Sequence, residues 1–474
     1  MATRILINTD SATVHSGLAE TTRNIFIPLL KMFPGKYEIH QKGWWHRQTD
    51  VQQYWPIHPT NVIETPQGPQ HDREDTYGRK TLIPLIEKLQ PDIVFAYGDL
   101  WTFDFILNCP IREKFRLCVL YTVDGYPYYG SLDENGGSLW GPQLATADAL
   151  VTLSEFGRDV LKASCPELAD KEIHVRSHPI DLDRFSHLPD KKEVRSEILP
   201  PEYSDSFIFG WLGRNQFRKQ NYKLWEILHY LRFGDYILCK DCDRVTIKEW
   251  NLCRRRTKDP STGCHSDRLT MYEEGYDYTY CYWCKSRNIL NGTPRKVNVW
   301  FHMPKTDPAY DATLHSRAWK VDDVSLYTDG VTGLAGVPQS ALIKIMRSWD
   351  ALLYPTGGEG LGNPVHEALA CELPIVYSDY SSHAENARHA GIPIKGPFVS
   401  EQNNCIQRMA VDLNSAVRAC LRMMDMPEEE RLEMGKRGKE YISRFALERM
   451  APEWDFIFDS IMKAPKKKVS LFNL

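Results

Sequence analysis

The sequence predicts an α/β protein of two doubly wound domains facing a cleft, with a small Cys-rich insertion in the second. Three observations predict this. Short apolar runs alternate with segments whose apolar residues recur at three and four over the first 190 residues. A polar, turn-rich stretch, SHPIDLDRFSHLPDKKEV, then interrupts the alternation, which restarts after it. Six of the twelve cysteines crowd between Cys239 and Cys284, inside the second half.

The elements follow in order. RILIN, DIVFAYG, FRLCVLYTVDG and ALVTLS are continuous apolar runs, as expected of strands buried on both faces. TTRNIFIPLLKMF, RKTLIPLIEKLQ and FGRDVLKAS have helical spacing. Strand–helix alternation of this kind builds a parallel sheet with helices on both sides, and ligands then sit beyond the carboxyl ends of the strands. In the second half FIFGWLG, VNVWFHM, ALLYP and IVYSDY are strands. KQNYKLWEILHYLRF, ALIKIMRSWD and VHEALACE are helices, followed by AVRACLRMMD and ERLEMGKRGKEYISRF. RMAPEWDFIFDSIMK is amphipathic and suited to pack back on the first domain. The division expected is 1–190 for an N-terminal domain and 191–450 for a C-terminal domain interrupted by 235–295, with 451–474 as a returning C-terminal helix. There is no fixed-period repeat, and Lys466, Lys467 and Lys468 read as a solvated end.

The totals narrow the function classes. At about 150 residues per domain, 474 residues make two or three domains. Apolar content of 42% and charged content of 25% are those of a soluble globular chain. A net charge of −4 does not mark a surface dedicated to nucleic acid or membrane. No apolar run approaches the ~20 residues that span a bilayer, and MATRILINTDSAT lacks the pattern of a secretory signal. A cytoplasmic location is expected.

The chemistry concentrates in GGEGLGNPVHEALACELP, residues 357–374. A glycine-rich loop leaves the strand ALLYP. Asn363 is an expected N-cap, with Pro364 at the first helical position, where a missing N–H costs nothing. Glycines admit a ligand close to backbone N–H groups, and a helix N-terminus favours phosphate. Glu359 then stands in the loop and Glu367 in the first helical turn. That set suits a sugar nucleotide: phosphate at the helix end, hydroxyls on the two carboxylates. It also describes an ordinary βα loop with a capped helix and an incidental glutamate.

The stretch GEGLGNPVHEALACELPIVYSD resembles the E-x7-E segment of retaining GT-B glycosyltransferases, above all the glycogen-synthase-like family four. Leu361 stands where that family usually has Phe, and Glu372 where it has Gly. Gly210-Trp-Leu-Gly-Arg-Asn-Gln-Phe-Arg-Lys219 resembles its Gly-Arg…Lys segment, and ADALVTLSEFGRDVL and HPIDLDRF its last first-domain strand and linker. The resemblance covers most of the chain outside 235–295. It implies two Rossmann-like domains (GT-B), the first for acceptor and the second for a nucleotide-diphosphate sugar. It also implies transfer with retained anomeric configuration by same-face attack, the leaving phosphate helping to take the proton. Arg214 and Lys219 would neutralise the diphosphate, Glu359 would meet the transferred sugar, and Glu367 the ribose. Gly17, Gly360, Leu361, Gly362 and Asn363 would line the donor. Where the family often has a histidine near the sugar, this chain has Asp124, either an acceptor-orienting or proton-taking carboxylate or an ordinary turn residue. Asp181-Leu-Asp183 spells the D-x-D of metal-dependent transferases, but it falls in the linker, and the basic side chains make a metal unnecessary for transfer.

The insertion carries two C-x2-C pairs, Cys239/Cys242 and Cys281/Cys284. Four thiolates make a closed tetrahedral site, so a structural Zn²⁺ is expected, with Cys253, Cys264 and His265 as alternative or additional ligands. Arg254–Lys258 and the aromatic-rich YEEGYDYTYCYWCKSRN have the equipment of a DNA or RNA contact, which would make nucleic acid the acceptor, while Glu273, Glu274 and Asp277 dilute that charge. A plain zinc staple, acceptor binding or oligomerisation fits equally. Aromatic-rich loops, WHRQTDVQQYWP and YPYYGSLDENGG, are the expected acceptor walls. Two other enzyme classes use such a scaffold, a sugar-nucleotide epimerase and a phosphorylase. A non-catalytic zinc-dependent binding protein is a third alternative.

Overall fold

The computed structural model describes residues 2–47, 51–65, 68–71, 74–128, 140–186, 188–248, 278–305, 311–331, 337–401 and 405–464. Its first sheet has seven strands in the order 57–59, 37–44, 3–10, 93–98, 116–121, 149–152, 173–175. Every neighbouring pair is parallel. The second has six, in the order 325–327, 297–302, 207–212, 351–354, 375–378, 391–394, again all parallel. The strands 93–98, 297–302 and 351–354 are buried at every residue, which is why they read as unbroken apolar runs.

In each sheet the chain builds outward in one direction, returns, and builds in the other. The reversal lies between 3–10 and 93–98 in the first sheet, and between 207–212 and 351–354 in the second. Such switch points open a crevice at the carboxyl ends of the strands. The loops that leave these strands run into Gly17, Lys219 and Glu359.

The chain crosses between the domains twice, and the crossings touch: Ile180 N–H donates to the Phe445 carbonyl at 2.8 Å, beside a bridge from Ile180 to Ala446. The second crossing leads into the helix Leu447–Lys463, which returns to the first domain. Trp454, Ile457, Phe458 and Ile461 join Ile5, Phe26 and Phe95 in one core. Phe26 stacks on Phe458 at 5.9 Å, and Lys36 pairs with Asp455 at 2.7 Å. Each such apolar burial is worth about 1.5–3 kcal/mol.

The insertion leaves after the helix Tyr222–Phe233, which Gly234 ends in the left-handed region, and rejoins at strand 297–302. Its described part is a three-stranded antiparallel sheet, ordered 245–247, 236–239, 289–291. Asn414 Oδ1 accepts from Ile247 N–H at 2.8 Å, and Arg295 pairs with Asp425 at 2.8 Å, fixing the module to the helix Leu413–Asp425. Both junctions lie at the amino edge of the second sheet, the edge remote from the crevice.

Candidate functional site

Strand 351–354 delivers the loop from Thr356 to Gly362, and Glu359 is the loop's only carboxylate. It is 5% exposed. Its Oε1 accepts from Lys219 Nζ at 2.6 Å, Tyr354 Oη at 3.1 Å and Thr356 Oγ1 at 3.2 Å. Its Oε2 accepts from Arg218 Nη1 at 2.8 Å, and its backbone N–H donates to Ser381 Oγ at 2.9 Å. Burial alone would push this carboxyl up, but the charges of Arg218 and Lys219 win and hold it well below the usual carboxylate range. Burial pulls Lys219 down, against the pull of Glu359. For Arg218 the Glu359 and Asp124 carboxylates outweigh burial, and its pKa is raised.

The loop glycines serve close approach across the crevice. A Cβ on Gly358 would lie 2.1 Å from the Asp124 carbonyl oxygen, and one on Gly360 would lie 2.7 Å from Thr122 Cβ. Leu361 inserts its side chain into the core of the first domain, 4% exposed. Gly17 begins the helix Gly17–Met32, capped by Ser16, whose Oγ accepts from Ala19 N–H and donates to Asp10 at 2.6 Å. A Cβ on Gly17 would sit 3.3 Å from Asn363 Nδ2, so two expected donor residues from opposite domains meet.

Two local expectations are corrected: Glu367 lies beyond the first turn of the helix Asn363–Ala370, and the cap is shifted by one residue. Asn363 is the first helical residue rather than the N-cap, and Pro364 is the second. Gly362 takes the cap position at φ 85°, in the left-handed region, and makes the turn one residue earlier. The Asn363 side chain makes no capping bond there and faces Gly17 instead.

Glu367 lies half-buried in a small recess between the domains, with Glu20, His178, Asp181, Arg184 and Asn363 among its walls. Burial, reinforced by the like charge of Glu20 and opposed by Arg184, raises its pKa well above the ordinary value. Asp181 pairs with Arg184 at 2.9 Å in the linker turn. Arg214 is exposed at the crevice and lowers the pKa of Asp10, which burial raises. Asp124 is held by Arg408, whose Nη1 donates to the Asp124 carbonyl at 2.8 Å and pairs with its carboxylate at 2.9 Å; Arg218 Nε stands 4.0 Å away.

Sequence reasoning missed Arg218, which shares Glu359 with Lys219, and Arg408, which fixes Asp124. The first was visible as a second cation beside Lys219; nothing near Arg408 in the sequence announced its reach of 284 positions. It also missed Tyr77 and Trp101. Tyr77 meets Trp44, Trp45 and Trp101 edge-to-face at 5.2, 6.3 and 5.1 Å. Trp45 and Trp101 are 58% and 51% exposed, and Trp45 is held at φ 55°. Burial raises the Tyr77 phenol, and the neighbouring Asp10 and Asp99 raise it further. Trp45 belongs to one of the expected wall loops; most of YPYYGSLDENGG lies outside the described residues.

In the insertion, the Sγ atoms of Cys239, Cys242, Cys281 and Cys284 all lie within 4.8 Å of one another. Cys239–Cys284 and Cys242–Cys281 are 3.6 Å apart, far beyond a disulfide. Tetrahedral Zn–S bonds of about 2.3 Å set sulfurs about 3.8 Å apart, so the four thiols fit zinc. The two turns match: Asp243 and Lys285, each just after the second cysteine of its pair, are left-handed at φ 56° and 59°. Cys253, Cys264 and His265 lie outside the described residues.

Comparison with known proteins agrees with this geometry. Residues 325–440, which contain both glutamates of the loop and helix, match the family described as Glycosyl transferases group 1. Nearly all of the chain superimposes on solved GT-B structures, and the α/β fold with two parallel sheets is theirs. Sucrose-phosphate synthase from Thermosynechococcus elongatus is 12% identical with a TM-score of 0.62, over 97% of this chain and 99% of that one. HepE of Anabaena in complex with UDP-glucose is 12% identical with a TM-score of 0.57, over 96% and 99%. WaaG, a glycosyltransferase involved in lipopolysaccharide biosynthesis, is 11% identical with a TM-score of 0.59, over 96% and 99%. No curated protein matches the chain. Fold and matched segment together support a glycosyltransferase of GT-B architecture. No described helix is long and apolar enough to cross a membrane.

Proposed function

We propose that the chain is a retaining glycosyltransferase that takes a sugar from a nucleotide-diphosphate donor bound in the crevice. One observation carries this reading: Glu359 gathers Lys219 and Arg218 at the switch point of the second sheet, opposite the N-terminus of the Gly17 helix. Asp124 shares Arg218 with Glu359, and exposed Arg214, which has no ion pair among the described residues, is available to a diphosphate whose charge grows as the sugar leaves. The N–H groups of Gly360, Leu361 and Gly362 are without acceptors among the described residues. The Glu359 carboxylate already accepts four hydrogen bonds, so a sugar hydroxyl meets it by displacing one of the longer ones, from Tyr354 or Thr356. Glu367 receives the ribose, and Asp124, fixed by Arg408, faces the acceptor. The protein's own cations supply the counter-charge, with no metal in the transfer step. That HepE was solved with UDP-glucose supports a nucleotide-sugar donor here.

On the acceptor side, the exposed edges of Trp45 and Trp101 around Tyr77 offer flat apolar faces next to Asp10 and Asp99, a pairing suited to a ring-bearing, hydroxyl-rich acceptor. Zinc held by the four cysteines is structural: four thiolates leave no open position for chemistry.

Calorimetric titration with a panel of nucleotide sugars tests the donor assignment. At least one should bind, and Arg214→Ala should weaken it. Silence across the panel would remove the donor. Incubation with the bound donor alone, followed by NMR, separates the enzyme classes: slow hydrolysis to the anomer of the donor's own configuration fits a retaining transferase, isomerised nucleotide sugar an epimerase.

A further inference from the structure

We infer that the zinc module is a second binding site, for single-stranded nucleic acid, on the opposite edge of the C-terminal domain from the crevice. The inference does not depend on the transfer reading.

Position comes first. Lys219 precedes the helix Tyr222–Phe233, and Cys239 follows it. Twelve helical residues separate the two sites by about 18 Å. The described part of the module therefore lines no part of the donor crevice.

Its surface is built for bases and phosphates together. Tyr282 and Trp283 lie between two zinc-binding cysteines and are 52% and 45% exposed. Their rings meet edge-to-face at 5.2 Å. Arg244 lies over Trp283 at 4.9 Å, and Lys285 lies 5.1 Å from Tyr282 and 5.5 Å from Tyr280. Lys240, Arg244, Lys285 and Arg287 are exposed, and none has an ion pair among the described residues. The carboxylates that could neutralise them are engaged elsewhere: Asp241 accepts from Ser286 and Asn288, and Asp243 pairs with Arg418. Exposed rings interleaved with four cations, which outnumber the two negative charges of a zinc tetrathiolate, recognise a flexible polyanion with stackable faces. A sulfated polysaccharide has the charge but only the C–H faces of its sugar rings in place of flat bases, and a duplex has its base faces closed.

The geometry also assigns the metal a role. Both left-handed knuckle turns project their cations from the residues around the second cysteine of each pair, so thiolate ligation fixes rings and charges relative to one another.

The test uses the 474-residue chain with its zinc. Anisotropy of a labelled single strand of about 20 nucleotides is followed from about 50 mM salt upward. Binding is expected, with a slope of log K against log salt near about −3, from roughly −0.7 per phosphate at four cations. Trp283→Ala should weaken binding about tenfold with zinc content unchanged, and Trp283→Phe should restore it. The double variant Arg244→Glu, Lys285→Glu should roughly halve the slope. Duplex and heparin should bind more weakly. No binding at low salt, or binding equal to that of heparin and unmoved by Trp283→Ala, overturns the proposal. Donor binding measured on the same variants should equal wild type, so failure here and failure of the transfer reading are told apart.

Discussion

Glu359→Gln is the most revealing single change, because the wild-type carboxylate balances two cations at once. Glutamine keeps the shape and one acceptor, and removes the charge. Lys219 is 7% exposed, and Glu359 is its single ion-pair partner among the described residues. Arg218 is 30% exposed and keeps Asp124 at 4.0 Å, so water and that carboxylate compensate it in part. Stranding one member of a buried pair costs about 3–5 kcal/mol, and with Arg218 partly compensated the low end, about 3 kcal/mol, applies. For a domain of this size that lowers the melting temperature by roughly 6–12 °C. The deficit depends on pH. Without Glu359, burial depresses Lys219 further below its unfolded value of about 10.4. A lysine depressed in the folded state gains stability as pH rises from its folded toward its unfolded pKa, because the unfolded chain binds the extra proton. The variant should therefore recover part of its loss as pH rises toward the unfolded lysine value. At the acid end wild type should fall toward the variant. The depressed Glu359 carboxyl contributes stability above its unfolded pKa, near 4.3 by the usual scale, and loses it as pH drops through the lower folded value. Scanning calorimetry at several pH values measures all of this. A loss below about 1 kcal/mol, or one that does not move with pH, would refute the buried three-charge arrangement.

Three further outcomes are expected. Arg214→Ala should lower kcat/KM by about 2–4 kcal/mol in free-energy terms while leaving the melting temperature unchanged, because the side chain is exposed; steady-state kinetics with the donor found by titration would show it. Gly358→Ala drives a Cβ into the Asp124 carbonyl, so it should push the two domains apart and raise KM for donor and acceptor together, visible in small-angle scattering as a larger radius. Glu367→Gln should weaken donor binding yet flatten the pH dependence of stability: a carboxyl raised in the folded state costs stability as pH climbs above its unfolded value, and the amide removes that cost, as melting curves from acid to neutral pH would report.

The fold was open to reading because both sheets are parallel and covered on two faces. Their strands are unbroken apolar runs such as Ile93–Gly98, and the interruption at residues 235–295 is compositional. The loop around Glu359 was readable for the same local reasons, since glycines, proline and two glutamates sit within the short stretch 357–367. What stayed hidden was long-range. Arg408 reaches Asp124, Glu385 accepts from the N–H groups of Glu155 and Phe156 across the interface, and Leu361 leaves its own domain for the core of the other. No periodicity encodes such partners. The position of the Asn363 cap was missed by one residue because Gly362 can take a left-handed turn that a side-chain preference does not foresee.

The donor's diphosphate is expected where Glu359 gathers its cations. A crystal structure with the bound nucleotide sugar measures that directly. It should place the phosphates about 3 Å from Arg218 or Lys219 and from the N–H groups of Gly360 to Gly362, with the ribose at Glu367. A diphosphate bound elsewhere, with the Glu359 cluster unmoved and facing no ligand, would contradict it.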